Sequence, residues 1–262
     1  MIPCMANETM TQPSQSSPAT DLSLAQWRLN AAEASGGLSN DCIYRCIEEI
    51  LLEQDAVGAV LDFGSGQGAL CRRLANIGKF SSVEGIDIME RPAHLDTSIH
   101  WTQRDLNHPT GLAGEAFDVL VSSEVIEHLE NPRAVVREWF RILKPGGLLL
   151  FTTPNNESVR SILALLFRGH YAAFGETSYP AHITALLRRD IERILAEAGF
   201  GELAFFYTNY GGIPKLGNVT WQSMSFGRLK GLRFSDNLAV LARKPAQSAG
   251  GLSLTDRLNW PG

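Results

Sequence analysis

The stretch "SSEVIEHLENP", residues 122 to 132, brings two carboxylates and an imidazole close together. Read as a helical turn, it puts Glu124, Glu127 and His128 at i, i+3 and i+4, on one face. Three roles suit that set. His128 can act as a general base, oriented by a carboxylate, and take a proton from a hydroxyl. The three side chains can instead hold a divalent cation that polarises and aligns an oxygen. Or the turn is structural, with Glu124 closing a neighbouring pocket while Glu127 or His128 caps and packs the loop. Two carboxylates and one histidine want a further metal ligand. His182, in "YPAHIT", is a candidate, although nothing in the spacing places it nearby, and His170, in "GHYAAF", is another lone histidine.

A second set of residues suits binding rather than proton transfer. "VLDFGSGQGAL" places Gly64, Ser65, Gly66 and Gly68 between an apolar strand and a helix. Glycines there allow a tight turn and a close approach of backbone to ligand. The spacing even fits a dinucleotide fingerprint if Ala69 takes the last position. Asp62, two residues before the first glycine, argues otherwise: a carboxylate there repels a pyrophosphate and suits an ammonium group. Asp87, with Ile88 beside it, ends "VEGIDI" about 20 residues further on, where an acid can accept from ribose hydroxyls. Asp105, in "RDLN", ends the next strand and can take an adenine amino group. Together these acids fit an adenosine with a cationic amino-acid tail and no phosphate.

The elements that must position them alternate between strand and helix, the pattern of a parallel sheet with crossover helices. "SNDCIYRCIEEILLEQ" reads as an amphipathic helix capped by Ser39 or Asn40, with Ile43, Ile47, Ile50 and Leu51 on one face. "VGAVLDFG", "SVEGIDI", "IHWTQRDL", "FDVLVSSE" and the continuous apolar "LLLFTTP" read as strands. "GALCRRLANIG" is a helix stopped by Gly78. "NPRAVVREWFRILKPGG" is another, capped by Asn131, with Val135, Val136, Trp139, Phe140 and Leu143 inward. "RRDIERILAEAGF" is a helix, and "GELAFFYTN" and "NLAVLAR" are the last two strands.

A length of 262 residues suffices for a sizeable core, and a net charge of −5 argues against a duplex nucleic acid partner. Residues 1–22, rich in Ser, Thr, Gln and Pro, read as a disordered leader, residues 23–244 as the domain, and 245–262 as a loose tail. Cys4, Cys42, Cys46 and Cys71 show no framework spacing and read as reduced thiols of a cytoplasmic protein. No apolar run reaches the roughly 18 residues of a membrane span. Residues 209–236 are too long for a simple loop, and mix Trp221, Phe226 and Phe234 with Lys215, Arg228, Lys230 and Arg233. That composition suggests a flap over an anionic or lipid-linked acceptor, or a peripheral contact with a membrane surface. Nothing in the sequence sets the oligomeric state.

In this order, "VLDFGSGQG", "VEGIDI", "RDLN", "FDVLVSSEVIEHLENP" and "RILKPGGLLLFTTPN" resemble the class I S-adenosylmethionine-dependent methyltransferases. The resemblance runs over about residues 58–156, with a weaker "HITALLRRDIERILAEAGF" beyond. It implies an α/β fold: a doubly wound, Rossmann-like, mostly parallel seven-stranded sheet whose last strand is antiparallel. It implies Asp62 and the glycines at the methionine part, Asp87 at the ribose, Asp105 with Leu106 at the adenine, and Ser123 and Glu124 beside the methyl group. The implied reaction is methyl transfer to O or N of a small molecule, such as a quinone precursor or a cell-envelope sugar. Ubiquinone-pathway O-methyltransferases and small-RNA methyltransferases carry a similar "E-x-x-E-H" cluster and are metal-dependent, while other relatives carry it with no known metal need. Two competing readings are a nicotinamide-dependent oxidoreductase and a non-catalytic cofactor-binding protein; Asp62 and "RDLN" oppose the first, and the intact loop with three acids opposes the second. Only about ten residues separate the second and third strands, so the helix usual there must be short.

Overall fold

The computed structural model of the protein describes residues 23–246. The leader, and all of the tail but Pro245 and Ala246, lie outside the described residues, as does Cys4. Helix α1 spans Leu24–Ala34 and α2 Asp41–Glu53. Then follow β1 (Gly58–Phe63), α3 (Ala69–Ile77), β2 (Phe80–Asp87), β3 (His100–Gln103) and β4 (Phe117–Ser123). The second half is α4 (Pro132–Ile142), β5 (Leu143–Pro154), α5 (Val159–Arg168), α6 (Arg188–Ala198), β6 (Gly201–Tyr207), the single-turn α7 (Trp221–Met224) and β7 (Asn237–Arg243).

The seven strands form one sheet in the order β3-β2-β1-β4-β5-β7-β6. All pairings are parallel except those of β7, which runs antiparallel to β5 and β6. Chain order reverses between β1 and β4. Ligands of open α/β sheets bind outside the carboxyl ends of the strands at such a switch point. One face of the sheet is covered by α4 and α6 through Trp139, Ile142, Ile191 and Leu195. The other is covered by α2 and α3 through Ile47, Ile50, Cys71 and Leu74. Each such fully buried aliphatic side chain contributes about 1.5–3 kcal/mol, so the strand ends are held by a rigid body.

Several local expectations hold for the physical reasons given. The Asn131 side chain accepts from the Ala134 N–H and caps α4, with Pro132 in its first turn. Gly78 closes α3 at φ 70°. Others need correction. Leu143 leaves α4 and begins β5, where its N–H closes the helix against Trp139, so Ile142 completes the buried stripe. Between β2 and β3 there is no helix: Arg91 braces that connection by donating to the carbonyls of Leu95, Asp96 and Ile99. Helices α1 and α5 are additions to the elements legible in the sequence.

Residues 209–236 fold as a packed flap on the side of α5. The Asn155 amide donates to the carbonyls of Leu232 and Ser235, Arg233 donates to that of Glu157, and Arg160 pairs with Asp236 at 2.6 Å. Trp221 meets Phe234 edge-on. No helix among the described residues is long and apolar enough to cross a membrane.

Candidate active site

The ends of β2, β1 and β4 form one wall of a cavity of about 610 Å³. In the glycine loop, Gly64 and Gly66 take left-handed φ of 83° and 51°. A side chain on Gly66 would overlap the Gly37 carbonyl, and one on Gly64 would overlap Val125, so both glycines are required sterically. Asp87 ties this loop to β2: its Oδ2 accepts from the Gly66 N–H and its Oδ1 from the Met89 N–H, both at 2.8 Å. Burial raises its pKa, opposed by those donors. Each oxygen keeps a second acceptor direction, and Asp87 lines the cavity. Asp62 lies deeper, and burial pushes its carboxyl up to about 7. An ammonium group bound beside it would restore the ionised form. Ser65 also lines the cavity, with its hydroxyl donating to the Asp62 carbonyl at 2.7 Å. Gly68 stands back from the cavity and starts α3.

Further along the wall lie Ile88, Asp105 and Leu106. Asp105 is not free-standing. Its Oδ1 accepts from the Asn107 N–H and amide, and its Oδ2 pairs with Arg28 at 2.7 Å. Arg28 comes from α1, which roofs the cavity and which sequence reasoning missed. The same guanidinium grips both oxygens of Glu130, at 2.9 and 2.7 Å. Helix α1 has no buried residue of its own and only a weak apolar face, so no periodic signal marks it as part of a site. Its C-terminal linker rests on the glycine loop, where the Gly37 carbonyl accepts from the Gln67 N–H at 3.0 Å.

The "SSEVIEH" turn is not the α-helical face expected from its spacing. Glu124 sits at φ 55°, outside the short 3-10 helix Ile126–His128, so the three do not share an α-helical face. Glu124 borders the cavity next to Ser123, and its Oε2 accepts from the Asn237 amide at 2.6 Å. Glu127 points inward, fully buried, with Oε2 accepting from Thr153 at 3.2 Å. One oxygen of each, Oε1, has no partner. Burial raises Glu124 to about 7, and burial with Glu124 nearby holds Glu127 well above the ordinary range.

His128 finds a different companion. The Ile183 and Thr184 N–H groups both donate to the Glu127 carbonyl, and the Thr184 hydroxyl donates to Leu129. These bonds lay "YPAHIT" over the turn and bring His182 edge-on to His128, with ring centroids 4.7 Å apart. His128 Nδ1–H donates to the Ala181 carbonyl at 2.9 Å, and His182 Nδ1–H to that of Ala173 at 2.7 Å. A carbonyl only accepts, so both imidazoles carry their proton on Nδ1 when neutral, and Nε2 is the basic nitrogen. Burial pushes His128 down to about 4, helped by His182 and opposed by the carbonyls of Ala181 and Glu124. Burial also lowers His182. Both rings line the cavity. His170 stands apart, with Nδ1 on the Tyr171 carbonyl, and no residue of the 209–236 flap lines the cavity. The flap is tied instead to Asn155 and Glu157, just beyond β5.

Residues 40–202 match the model of a family described as a methyltransferase domain. The chain is 32% identical over 117 residues to a "Ubiquinone biosynthesis O-methyltransferase" of Maricaulis maris, covering 41% of this chain and 44% of that one. It is 34% identical over 119 residues to a mitochondrial protein of the same name from Rattus norvegicus, covering 41% and 34%. The chain thus spans less than half the length of these curated relatives. A "SAM dependent methyltransferase" from Archaeoglobus fulgidus superposes with a TM-score of 0.58 at 18% identity, covering 81% of this chain and 97% of that one, which shows the common fold. The family match sets aside the nicotinamide-dependent alternative. By its glycine loop, its sheet order and this match over most of its length, the chain belongs to the S-adenosylmethionine-dependent methyltransferase family.

Proposed function

We propose that the protein methylates a hydroxyl oxygen of a small aromatic acceptor of the quinone-precursor type. The observation that carries this reading is the pair His128 and His182 on the cavity wall, each with Nδ1–H donated to a carbonyl. An amine acceptor attacks through a free lone pair. A hydroxyl must also lose a proton, and a neutral imidazole is the group to receive it. The relatives named as ubiquinone O-methyltransferases support the choice of oxygen and of a quinone precursor over a sugar.

The bound S-adenosylmethionine supplies an already activated methyl group. Asp62 would take its ammonium, Asp87 its ribose hydroxyls, and Ile88, Asp105 and Leu106 would face its adenine. The protein's own work is then alignment and proton removal. The cavity wall would hold the acceptor oxygen in line, α1 would exclude water, and imidazole Nε2 would receive the hydroxyl proton. The free thiols Cys42, Cys46 and Cys71 are in keeping with a reducing, cytoplasmic setting. The test is a screen of catechols, quinone precursors, arylamines and nucleotide sugars for S-adenosylhomocysteine release. Turnover of a catechol is expected, with His128→Ala lowering kcat by roughly 10²–10⁴-fold. Turnover of amines alone would overturn the choice of oxygen.

A further inference from the structure

We propose, on the reading that the cavity binds S-adenosylmethionine, that Tyr44 receives the carboxylate of the cofactor's amino-acid tail and that this contact holds the linker between α1 and α2 closed over the tail. The tail is a zwitterion. Asp62 would take its ammonium, which leaves its carboxylate without a partner. Acids dominate the cavity wall: Asp62, Asp87, Asp105, Glu124 and Glu130 all line it. Among the described residues, Arg28 is the one Lys or Arg that lines it, and Arg28 is engaged by Asp105 and Glu130. A carboxylate set among acids, with no cation to meet it, needs neutral donors.

Tyr44 is such a donor. Its side chain is buried, at 7% exposure, and it lines the cavity together with Asp62. Its hydroxyl oxygen accepts from the Ser39 N–H at 2.8 Å. The O–H proton itself meets no acceptor in hydrogen-bond geometry among the described residues. Burial raises the phenol's pKa, opposed by the Ser39 N–H and helped by Asp62, so it stays a neutral donor. Arg73 sits 5.1 Å over the ring and is itself tied to Asp41 and Glu48, which steadies the phenol. The surroundings also suit an anion. Ser39, Asn40 and Ile43 line the same cavity, so the N-terminus of the 13-residue α2 faces it, and the Asn40 side chain makes no cap bond there. Asp41, the acid of that first turn, is paired with Arg45 and Arg73.

The same hydroxyl joins the ligand to the linker. Residues 35–40 are pinned at three points. The Gly37 carbonyl accepts from the Gln67 N–H at 3.0 Å, the Ser39 N–H donates to the Tyr44 hydroxyl, and the hydroxyls of Ser39 and Ser123 meet at 2.9 Å. The linker is otherwise mostly exposed, so these bonds carry its closure. A phenol that donates to an anion becomes a stronger acceptor, so carboxylate binding strengthens the Ser39–Tyr44 bond. By linkage, a closed linker holds the carboxylate more tightly. Closure then responds to the amino-acid tail and not to the adenosine, and the cavity discriminates the whole cofactor from its adenosine fragments.

Two ligands test this on the full chain without turnover: S-adenosylhomocysteine, and methylthioadenosine, which keeps the adenosine and the thioether but lacks the amino-acid tail. By calorimetry, Tyr44→Phe should weaken S-adenosylhomocysteine about ten- to hundredfold and methylthioadenosine by less than about twofold. The phenyl ring keeps the packing and the Arg73 contact, so only the hydroxyl is lost. In the wild type, amide hydrogen exchange over residues 35–40 should slow with S-adenosylhomocysteine and stay unchanged with methylthioadenosine. That contrast needs no variant and decides the matter should Tyr44→Phe not fold. S-adenosylhomocysteine affinity in the variant within about threefold of wild type, an equal loss for both ligands, or equal protection of the linker by both overturns the assignment. In each of these the wild type still binds S-adenosylhomocysteine, and the cofactor reading stands. A wild type that binds neither ligand overturns both.

Discussion

Replacing Arg28 by Gln should unlatch α1 and speed cofactor release. Helix α1 contributes no buried residue, and its aromatic Trp27 is half exposed, so the guanidinium is its principal anchor on the far side of the cavity. The bidentate pair with Glu130 is exposed on the acid's side, at 46%, and is worth at most about 1 kcal/mol after solvent screening. The Asp105 pair is drier, with side chains 13% and 19% exposed, and a charge-assisted hydrogen bond there contributes about 1.5–3 kcal/mol. Part of Asp105's hydrogen bonding persists without Arg28, because Asn107 still donates to it. A net loss of about 2–3 kcal/mol follows, or roughly 30- to 150-fold in the opening of the roof.

Stopped-flow measurement of S-adenosylhomocysteine dissociation reads this directly. The variant's off-rate should rise by that factor. Salt should accelerate release from the wild type, by screening the same pairs, and should do little to the variant. Amide hydrogen exchange across residues 24–34 should rise in parallel. An off-rate within threefold of wild type, with unchanged exchange in α1, would refute the latch and leave Arg28 an ordinary surface pair.

Asp87→Ala removes the acceptor of the Gly66 and Met89 N–H groups as well as the proposed ribose partner, so calorimetry should show cofactor affinity lower by about 1.5–3 kcal/mol. Unchanged affinity would remove Asp87 from the site. Glu138 gives a pH signature of stability. Its hydrogen bond to Arg141, with help from Thr110, holds its pKa at about 2 against the ordinary 4.5. A depressed pKa stabilises the fold above 4.5 and loses that contribution as pH falls toward 2. The difference in urea midpoint between wild type and Glu138→Gln should therefore be full at neutral pH and shrink across that window. Phe167 and Phe226 are 82% and 90% exposed, near the basic residues Arg168, Arg228 and Lys230 in sequence. Phe167→Ser with Phe226→Ser should reduce sedimentation with anionic vesicles and spare turnover of a water-soluble acceptor. Equal sedimentation would end the membrane-contact reading.

The parts of the site legible in the sequence are those carried by local rules. The glycine loop and Asp87 could be placed because a strand, a tight turn and a helix follow one another without interruption, and the switch point then fixes where their ends meet. The flap was legible as an element and not as a packing partner. Its aromatic and basic composition says nothing about the Asn155 and Glu157 bonds that hold it outside the cavity. Helix α1 was hidden for the opposite reason: a helix with no apolar stripe gives no periodic signal, and its one anchoring residue acts through charges at positions 105 and 130.

The histidine pair marks the limit most sharply. From spacing alone, Glu124 belongs with Glu127 and His128, because three and four residues make one helical face. A single residue in left-handed conformation, Glu124 at φ 55°, breaks that face, and the turn tightens to 3-10 geometry instead. The Glu127 carbonyl then points outward and accepts two N–H groups from a distant segment. Those two bonds, which involve backbone only and leave no trace in side-chain identity, are what seat His182 beside His128. The chemistry proposed for this end of the cavity thus depends on a local backbone departure that opens a long-range contact. Its most sensitive residue for testing is accordingly Thr184: its side chain and N–H together clamp the crossing, at 2.7 Å to Leu129 and 2.9 Å to Glu127. Thr184→Val keeps the shape and the N–H but loses the hydroxyl bond, about 0.5–1.5 kcal/mol. It should lower turnover through a looser His182 while leaving cofactor affinity unchanged, as steady-state kinetics beside calorimetry would show. Wild-type kcat in that variant would mean that the placement of His182 does not matter to the reaction.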